Sequence, residues 1–464
     1  MMEQEKIDQQ RQQILNDQSK VELFAPCRIG EGILAIPANR FESYRIKFQS
    51  YPGTHLYFIP ASGSGSRMFD FLYQFLSNPN ETNFGQVERF MNHLKEFSFY
   101  HLLPEEAIQK INNNTIETEE LVQFLMDAEG LNFGNSPKAL IPFHYNDPFI
   151  LNPLQEQVLQ GVKLRNGRSR FHVTIQPEHL QGIRKSVENL QGLTGKQYDI
   201  SFSNQDSNTE SYTFDKEMNP VLNADGSYLR RPSGHGALID NLNAIDEEVI
   251  FIKNIDNVQH YSHSQLTQYT WEGLGGLLLQ FKEDLQELAK YPNPSELRRL
   301  NAEYEFLSPD EINDLKSSDD ILRLVNRPIR VCGMVRNEGQ PGGGPFWINE
   351  NGKVTKQIVE KAQIRLQGDQ FRLMVRSTHF NPVMIALSTR DLEGNKIDLR
   401  KHTDSNKYFV VQKEQKGQSV QFVEMPGLWN GGMADWNTLF VEVSQKVFTP
   451  VKNILDLLES DHQA

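Results

Sequence analysis

The alternation of strand-like and helix-like segments through the middle of the chain constrains its fold most strongly. The apolar runs RFHVTI, QYDISF and EEVIFIKNID are separated by segments of helical periodicity, such as EHLQGIRKSVENL. A long helical segment, TWEGLGGLLLQFKEDLQELAKY, follows the last of these runs. Such alternation favours a sheet covered by helices over a β-sandwich or a helix bundle. The sequence therefore predicts an α/β protein with a three-layer, Rossmann-like mixed sheet.

A second pattern interrupts this alternation between residues 69 and 130. Apolar residues recur there every three or four positions, as in FGQVERFMNHLKEF and ETEELVQFLMDAEG, which predicts a helical insertion. We expect residues 1–50 to form an N-terminal helical lead-in and residues 51–385 to form the core that carries the insertion. After the insertion, a strand is expected at KALIPFH. Residues 386–464 are expected to complete the core, to carry the late lysine of the PVK segment and to close with a short helix at NILDLLES.

Charge and cysteine content exclude several classes of protein. The 464 residues carry 47 Lys and Arg against 60 Asp and Glu, a formal net charge of −13, which disfavours general binding to nucleic acid or anionic membranes. Cys27 and Cys332 lie far apart and belong to no metal-binding pattern, so no disulfide framework or zinc site is indicated. The polar N-terminus and the lack of an apolar segment of about 18 residues predict a cytoplasmic protein with no nucleic-acid or membrane partner.

The loop Ser62–Arg67, with the sequence SGSGSR, lies between a predicted strand and a predicted helix. Glycines let a backbone approach a ligand closely, and N–H groups beside a helix start attract anions, to which Arg67 adds a full charge. The loop lacks the Lys-Ser/Thr ending of a Walker A motif, and Met68 stands at the third glycine position of a dinucleotide fingerprint. An anion site and an ordinary turn both explain these residues.

Two further segments carry candidate functional groups. His235 lies between Gly234 and Gly236, which have no side chains. A histidine packed in the core does not need such small neighbours, so the pattern favours a functional role. Asp256 follows the apolar run FIKNI, so its carboxylate is expected at the carboxyl edge of the sheet, where open α/β sheets bind ligands. It is a candidate Mg²⁺ ligand, because magnesium is usually held by one or two carboxylates together with phosphates and water. The alternative is that Asp256 caps the following turn.

The motifs taken together resemble those of a known family. In this order, GSGSR, PK at 137–138, RPSGHG, IFIKNIDN and VFTPVKNILDLL resemble the motifs of eukaryotic-type UDP-sugar pyrophosphorylases, including those that make UDP-glucose and UDP-N-acetylglucosamine. The resemblance extends from about residue 56 to residue 458. The chain also resembles an uncharacterised bacterial family grouped with these enzymes, through the loop NEGQPGGGPFW. The resemblance implies a nucleotidyltransferase fold of the glycosyltransferase-A-like type.

The resemblance also implies roles for individual residues. The phosphate-binding loop would be formed by Gly63, Gly65, Ser66 and Arg67, and the catalytic cations would be Arg67, Lys138 and Lys452. Asp256 would bind the metal, Mg²⁺, and Gln205 would read the edge of the uracil base. Nucleoside and sugar contacts would come from Gly234, His235, Glu360 and Asn381.

The implied reaction joins UTP, or another nucleoside triphosphate, to a sugar-1-phosphate and releases pyrophosphate. Two departures from the family pattern bear on it: Pro137 comes 70 positions after Arg67, whereas the family has about a dozen, and Ser62 replaces a glycine. These departures leave open a non-catalytic protein that binds nucleotide sugars or has a regulatory role on the same fold. A glycosyltransferase is the other alternative.

Overall fold

The computed structural model describes residues 3–16, 19–165, 168–339, 343–415 and 418–464. Within these ranges the α-helices are α1 Glu3–Asn16, α2 Ala38–Ser50, α3 Asp70–Ser77, α4 Glu81–Asn92, α5 Glu105–Asn112, α6 Thr118–Met126, α7 Pro153–Leu164, α8 Leu180–Thr194, α9 Ile239–Ala244, α10 Gln265–Lys290, α11 Pro294–Tyr304, α12 Pro309–Asn313, α13 Ser318–Val325 and α14 Gly368–Val375. None of the helices in the described ranges is both long enough and apolar enough to cross a membrane.

The β-strands of the same residues are β1 Glu22–Pro26, β2 Arg28–Ile29, β3 Gly32–Leu34, β4 His55–Pro60, β5 His144–Asn146, β6 Phe149–Leu151, β7 Ser169–Ile175, β8 Asp199–Asn204, β9 Ser211–Tyr212, β10 Arg230–Arg231, β11 Ile250–Lys253, β12 Ile329–Arg336, β13 Gly344–Glu350, β14 Lys353–Val359, β15 His379–Phe380, β16 Met384–Ser388, β17 Phe409–Gln415, β18 Gln418–Glu424 and β19 Asn437–Glu442.

The described residues fall into two compact units, each built from separate parts of the sequence. The first unit is formed within Met1–Leu56, Gln205–Ile252 and Trp271–Gln445. The second is formed within Tyr57–Asn204, Lys253–Thr270 and Lys446–Ala464. This division differs from the three consecutive segments expected from the sequence, because local patterns do not show which distant segments share a core.

The first unit contains a mixed sheet with the strand order β2-β3-β19-β12-β16-β11. Strands β2, β3, β19 and β12 run parallel to one another, whereas β16 pairs antiparallel with β12. A separate antiparallel sheet, β1-β13-β14, carries the apolar cluster of Leu23, Phe346, Ile348, Val359 and Ile364. The predicted α/β class with a mixed sheet is confirmed.

The second unit contains strands in the order β4-β7-β8, with β7 and β8 parallel over Arg170–Ile175 and Asp199–Asn204. Helix α7 begins at a capping box in which Asn152 and Gln155 satisfy each other's backbone N–H groups, and Pro153 supplies a preset φ at the first helical position. Helix α8 ends where Gly195 adopts a φ of 63°, which a residue without a Cβ accepts at little cost.

The predicted helical insertion is confirmed, because α3 to α6 lie between residues 70 and 126. Its buried phenylalanines, which include Phe90, Phe97 and Phe99, form one cluster with Val451, Ile454, Leu455 and Leu457 of the C-terminal segment. Phe97 and Phe99 stack with their ring centroids 5.1 Å apart. The insertion therefore supports the segment of chain that carries Lys452.

Three expectations from the sequence need correction. Residues 1–50 are not wholly helical: β1, β2 and β3 lie between α1 and α2, because the apolar run in this region pairs with β13 and β19. The segment KALIPFH forms a short 3-10 helix, Lys138–Leu140, and strand structure starts only at His144. The closing helix is also a 3-10 helix, Ile454–Leu458.

We predict that Phe99→Ala will destabilise the second unit by about 3–5 kcal/mol, because it opens a cavity in a core that collapses only partly. Phe99 is fully buried in the insertion core. Differential scanning calorimetry of the unchanged protein and the Phe99→Ala variant measures the loss of stability. Phe84→Ala is the matched control, since Phe84 belongs to the same insertion but is 58% exposed. An equal loss of stability in both variants would contradict the assignment of the core.

Candidate functional site

Two lysines and one aspartate meet in the second unit. The ammonium groups of Lys138 and Lys452 both donate to the same atom, Asp256 Oδ2, over distances of 3.1 Å and 2.9 Å. Lys138 Nζ also donates to the carbonyl oxygen of Val451 at 2.8 Å. Three segments that are distant in the sequence thus converge on one carboxylate.

The charges of this cluster decide the protonation of its members. Burial alone would raise the pKa of Asp256, but the two lysines outweigh burial and hold this pKa below its ordinary value. Burial lowers the pKa of Lys138, Asp256 acts against this effect, and the positive charges of Lys452 and Arg67 add to it. The carboxylate is therefore ionised at neutral pH, and it holds two cations close together.

The two lysines differ in their access to solvent. The Lys138 side chain is 13% exposed, whereas the Lys452 side chain is 60% exposed. Asp256 is buried and keeps Lys138 as a partner, so the exposed Lys452 can turn to a bound anion without leaving the carboxylate uncompensated. Lys138 is held in place by its second hydrogen bond, to Val451, and supplies the fixed charge of the pair.

Backbone contacts fix the two loops that carry Asp256 and Lys452. The N–H of Val451 donates to the carbonyl of Asp256 at 3.0 Å. The N–H of Thr449 donates to the side-chain oxygen of Asn257, also at 3.0 Å. The C-terminal segment therefore runs alongside the Asp256 loop as a short bridge of extended chain.

The glycine loop lies directly beside the segment that carries Lys138. The N–H of Lys138 donates to the carbonyl of Gly63 at 3.0 Å, and Ser64 forms a β-bridge with Pro137. A Cβ on Gly65 would come within 2.9 Å of the Ser136 carbonyl oxygen, so this close approach requires glycine. The glycine loop and the segment Pro137–Lys138 are therefore adjacent in the structure although 70 positions separate them in the sequence, because the helical insertion lies between them.

The remaining positions of this loop are open to solvent. A Cβ on Gly63 would meet no atom within 4 Å. The hydroxyl groups of Ser64 and Ser66 lie 2.7 Å apart and form a hydrogen bond. Arg67 is exposed, and it forms no ion pair with any residue in the described ranges. The loop therefore presents backbone and one unpaired cation next to the lysine cluster.

The groups around Asp256 show which metal its carboxylate could bind. No group of three or more His, Cys, Asp or Glu side chains that could hold a metal is found in the described parts of the chain. Both lysines bond to Oδ2, and no hydrogen bond to Oδ1 is found among the described residues. A single carboxylate oxygen fits a magnesium ion that takes its other ligands from phosphates and water.

The first unit contains its own cavity, of about 760 Å³. Its lining combines aromatic and aliphatic side chains, such as Phe346 and Phe380, with the polar groups of His235, Glu360 and Glu424. Mostly apolar walls with a few converging polar groups are typical of small-molecule sites. Two of the residues singled out by the sequence, His235 and Glu360, thus line the same cavity.

His235 is fixed by its contacts within the first unit. Its ring stacks on Trp429 with centroids 3.9 Å apart and planes 10° from parallel. The N–H of Leu428 donates to His235 Nδ1 at 2.9 Å, so the neutral ring carries its proton on Nε2. His235 lines the cavity and stays partly accessible, but the protein packed round the ring lowers its pKa to about 4 by burial. At neutral pH His235 is a hydrogen-bond donor without a charge.

The glycines beside His235 allow this packing. Gly234 has a φ of +67°, and a Cβ there would lie 2.5 Å from a carboxylate oxygen of Glu424. A Cβ on Gly236 would lie 2.1 Å from the carbonyl oxygen of Pro426. The flanking glycines therefore let the loop of His235 press against residues 424–428.

Glu360 and Asn381 meet at Gly343. A Cβ on Gly343 would lie 2.7 Å from Glu360 Oε1, and the carbonyl of Gly343 accepts the N–H of Asn381 at 2.8 Å. Burial raises the pKa of Glu360, and the indole N–H of Trp429 acts against this by donating to its carboxylate. Asn381 Nδ2 is buried and has no partner among the described residues. Glu360 therefore lines the cavity, and Asn381, which is not a lining residue, lies next to the lining residue Phe380 and shares Gly343 as a neighbour with Glu360.

Gln205 is not joined to either group of residues. Its amide donates to the hydroxyl of Thr209 at 3.3 Å, and Gln205 is not among the residues that line the cavity. Sequence reasoning also missed Trp429, which contacts both His235 and Glu360. The glycines around it, in PGLWNGG, were the signal that a large side chain lies in a tightly packed turn.

Comparison with known proteins supports the fold. The model of the family described as "Domain of unknown function (DUF4301)" matches residues 1–463. A search of curated proteins found no match. The structure is similar to a UDP-N-acetylglucosamine pyrophosphorylase from Trypanosoma brucei, at 11% identity and a TM-score of 0.50, over 97% of this chain and 74% of the other.

A second solved structure, a UDP-glucose phosphorylase from Trypanosoma brucei, is similar at 13% identity and a TM-score of 0.43, over 96% of this chain and 72% of the other. At such identities the likeness of the first structure concerns the fold alone. The predicted resemblance to the pyrophosphorylase fold is confirmed, and the fold is nucleotidyltransferase-like.

We predict that His235 makes the first unit less stable in acid. Its folded pKa of about 4 lies below the ordinary value of about 6.5, so between these values the unfolded chain binds more protons. The free energy of unfolding should therefore fall as the pH falls from 6.5 to 4. His235→Phe keeps the stacking surface and removes the titration, so between pH 7 and pH 5 it should lose about 1–2 kcal/mol less than the unchanged protein.

Urea unfolding followed by tryptophan fluorescence measures this difference, because Trp271, Trp347, Trp429 and Trp436 all belong to the first unit. The same dependence on pH in both proteins would show that His235 titrates normally in the folded state.

Proposed function

We propose that this chain, which belongs to the DUF4301 family, is an enzyme that transfers a uridylyl group from UTP to a sugar-1-phosphate. The observation that carries the proposal is the pair of lysines on Asp256 beside the open glycine loop. Together with Arg67 the lysines offer three positive charges against one negative charge. The proposed products are a UDP-sugar and pyrophosphate.

The charge of this cluster supports a substrate with several phosphates. The chain as a whole carries a net charge of −13, so the cluster is a local exception. A triphosphate and a sugar phosphate repel each other, and two or three cations at one point offset this repulsion. A protein that bound only a neutral ligand would have no use for cations held together in this way.

The proposed chemistry needs little covalent participation by the protein. An oxygen of the sugar phosphate attacks the α-phosphorus of UTP, a new P–O bond forms, and the bond to the bridging oxygen of pyrophosphate breaks. The attacking oxygen is already ionised, so no general base is required. Lys138, Lys452 and Arg67 would hold the phosphates in line and bind the charge that develops on the leaving group.

Asp256 is the proposed protein ligand of Mg²⁺, through the oxygen that the lysines leave free. Asp256 would hold the ion there, and its positive charge would offset the charge of the bound phosphates. Asp256 has a second role that needs no metal, because its negative charge keeps Lys138 and Lys452 within about 3 Å of one oxygen. These two roles share one side chain but involve different oxygens.

The cavity of the first unit is the proposed site for the sugar. His235 offers an uncharged N–H, and Glu360 and Glu424 offer oxygens that can accept from hydroxyl groups. Among the described lining residues only Lys361 carries a permanent positive charge. We therefore expect neutral sugars to be preferred over sugars that carry a carboxylate. A base-reading role for Gln205 stays a proposal of the same kind.

The direct test is a screen of nucleoside triphosphates with a panel of neutral and acidic sugar-1-phosphates, read by mass spectrometry of the products. We predict turnover with UTP and a neutral sugar-1-phosphate. Lys452→Met should lower that turnover by about a hundredfold, because it removes a charge that stabilises the transition state. It should lower stability by only about 1 kcal/mol, because the Lys452 side chain is mostly exposed and the buried Asp256 keeps Lys138 as its partner.

Lys185→Met is the matched control, since Lys185 is an exposed lysine on α8 of the same unit. Equal turnover of both variants would remove Lys452 from the site. Binding of UDP-sugars without turnover of any pair would favour the non-catalytic alternative. Transfer of sugar from a UDP-sugar to an acceptor, with no release of pyrophosphate from UTP, would favour the glycosyltransferase.

The geometry of Asp256 also predicts how magnesium binds. The two ammonium groups on the Asp256 carboxylate repel a free cation, whereas a triphosphate offsets their charge. The protein alone should therefore bind Mg²⁺ or Mn²⁺ only weakly, and addition of UTP should tighten binding at least tenfold. Electron paramagnetic resonance of Mn²⁺, with and without UTP, measures the bound fraction. Tight binding of Mn²⁺ by the protein alone would contradict this arrangement, and UTP alone in buffer is the control.

A further inference from the structure

We infer that Gln157, on a buried polar face of helix α7, is the positioning residue of Asp256. Gln157 is 2% exposed, and its side-chain amide donates to the carbonyl of Asn254 at 3.0 Å. A longer contact of 3.5 Å joins the same amide to the carbonyl of Asn257. One side chain therefore contacts the backbone on both sides of Asp256.

The backbone between these two carbonyls is a tight turn. The N–H of Asn257 donates to the carbonyl of Asn254 at 3.3 Å, so Asp256 occupies the third position of a four-residue turn. The direction of a side chain at such a position depends on the orientation of the peptide groups on either side. Gln157 holds the carbonyls of the first and last residues of this turn from inside the unit. The N–H of Val451 binds the carbonyl of Asp256 itself, and the N–H of Thr449 binds the Asn257 side chain, from the C-terminal segment.

The polar face of α7 extends beyond Gln157. Gln160 donates to the carbonyl of Gln259 at 2.7 Å and to Glu156 at 3.1 Å. Glu156 lies 2.9 Å from His144, whose other ring nitrogen lies 3.0 Å from His462 near the C-terminus. The face therefore contacts the chain after Asp256 directly, and it is linked to His462 through His144.

Burial of this polar face needs a reason, because burying an amide is costly unless it is fully hydrogen-bonded. Gln157 and Gln160 donate to carbonyls in the segment 254–259, which is irregular and cannot form a regular ladder with a strand. Apolar residues would pack against α7 at lower cost but would leave the turn without this support. Asp256 Oδ2 must lie near 3 Å from two ammonium groups, and sites of this kind tolerate displacements of only about 0.5 Å.

The catalytic part of this inference rests on the proposed transfer reaction, whereas the structural part does not. Gln157→Met removes the donor and keeps an unbranched side chain of similar length. The matched control is Gln155→Met on the same helix. Gln155 is also buried, at 6% exposure, but its amide donates to the carbonyl of Ser186 on α8 and its side-chain oxygen accepts the N–H of Asn152 at the start of α7, both away from Asp256. Both variants should lower the melting temperature.

The first measurement is amide hydrogen–deuterium exchange, which requires no activity. Gln157→Met should speed exchange at least severalfold in residues 447–452, where the N–H groups of Thr449 and Val451 bond to the turn. Gln155→Met should leave this segment unchanged and affect α8 instead. The same pattern of exchange in both variants would overturn the positioning role, because a general loss of stability acts everywhere.

The second measurement is steady-state kinetics. Gln157→Met should lower kcat about tenfold or more and change KM for UTP less than about threefold, since a misplaced charge acts mainly in the transition state. Gln155→Met should change kcat less than about twofold. In an Asp256→Asn background, Gln157→Met should have almost no further effect on kcat, because it acts through Asp256.

Equal losses of kcat in the two single variants, or independent losses in the double variant, would overturn the inference. Local exchange at 447–452 without turnover of any substrate pair would support the positioning role and reject the proposed function instead. Turnover that is unaffected by Gln157→Met would leave the proposed function standing and reject the positioning role.

Discussion

The second unit depends on one interaction, the ion pair in which a buried carboxylate oxygen of Asp256 accepts hydrogen bonds from two lysines. Removal of a charge from water is costly, and only close opposite charges make it tolerable. Lys138 and Lys452 supply that compensation, and their attraction keeps Asp256 ionised. Because each lysine comes from a different segment, the ion pair joins the segment that contains Lys138, the Asp256 turn and the C-terminal segment. The charge of Asp256 therefore also places the two lysine ammonium groups at the candidate site.

The elements around this ion pair are arranged to hold it in place. The glycine loop lies against residues 136–138 because Gly65 has no side chain to keep the two backbones apart. The phenylalanine core of the insertion packs on Val451 and Ile454, next to Lys452. Helix α7 supports the Asp256 turn from the inside with a buried amide. The apolar core and the polar supports thus act on the same short segments.

The cavity of the first unit follows a different principle. It contains few permanent charges, and burial shifts its titratable groups towards their neutral forms, as at His235 and Glu360. Trp429 links these two residues, stacking on one and donating to the other. Such a cavity suits a ligand with hydroxyl groups, whereas the lysine cluster of the second unit suits phosphates.

The α/β class, the helical insertion and the positions of the motifs could be predicted from the amino-acid sequence. These follow from local physics: the spacing of apolar residues, the glycines that permit close approach, and the turn residues that end helices and strands. Local patterns do not show that β1 and β3 are strands, because their partners β13 and β19 lie more than three hundred residues further along the chain. The same limit applies to Trp429 and Gln157, whose importance lies in what they contact.

Whether the motifs form a site depends on the folding of the whole second unit. Lys138 and Asp256 are 118 positions apart, Asp256 and Lys452 are 196 apart, and Lys138 meets the carbonyl of Val451 across 313 positions. Local patterns contain no information about such distances, since they depend on how the insertion loops out and on which segments share a core. The sequence supplied the charged groups, and the packing of the second unit brought them to one oxygen atom.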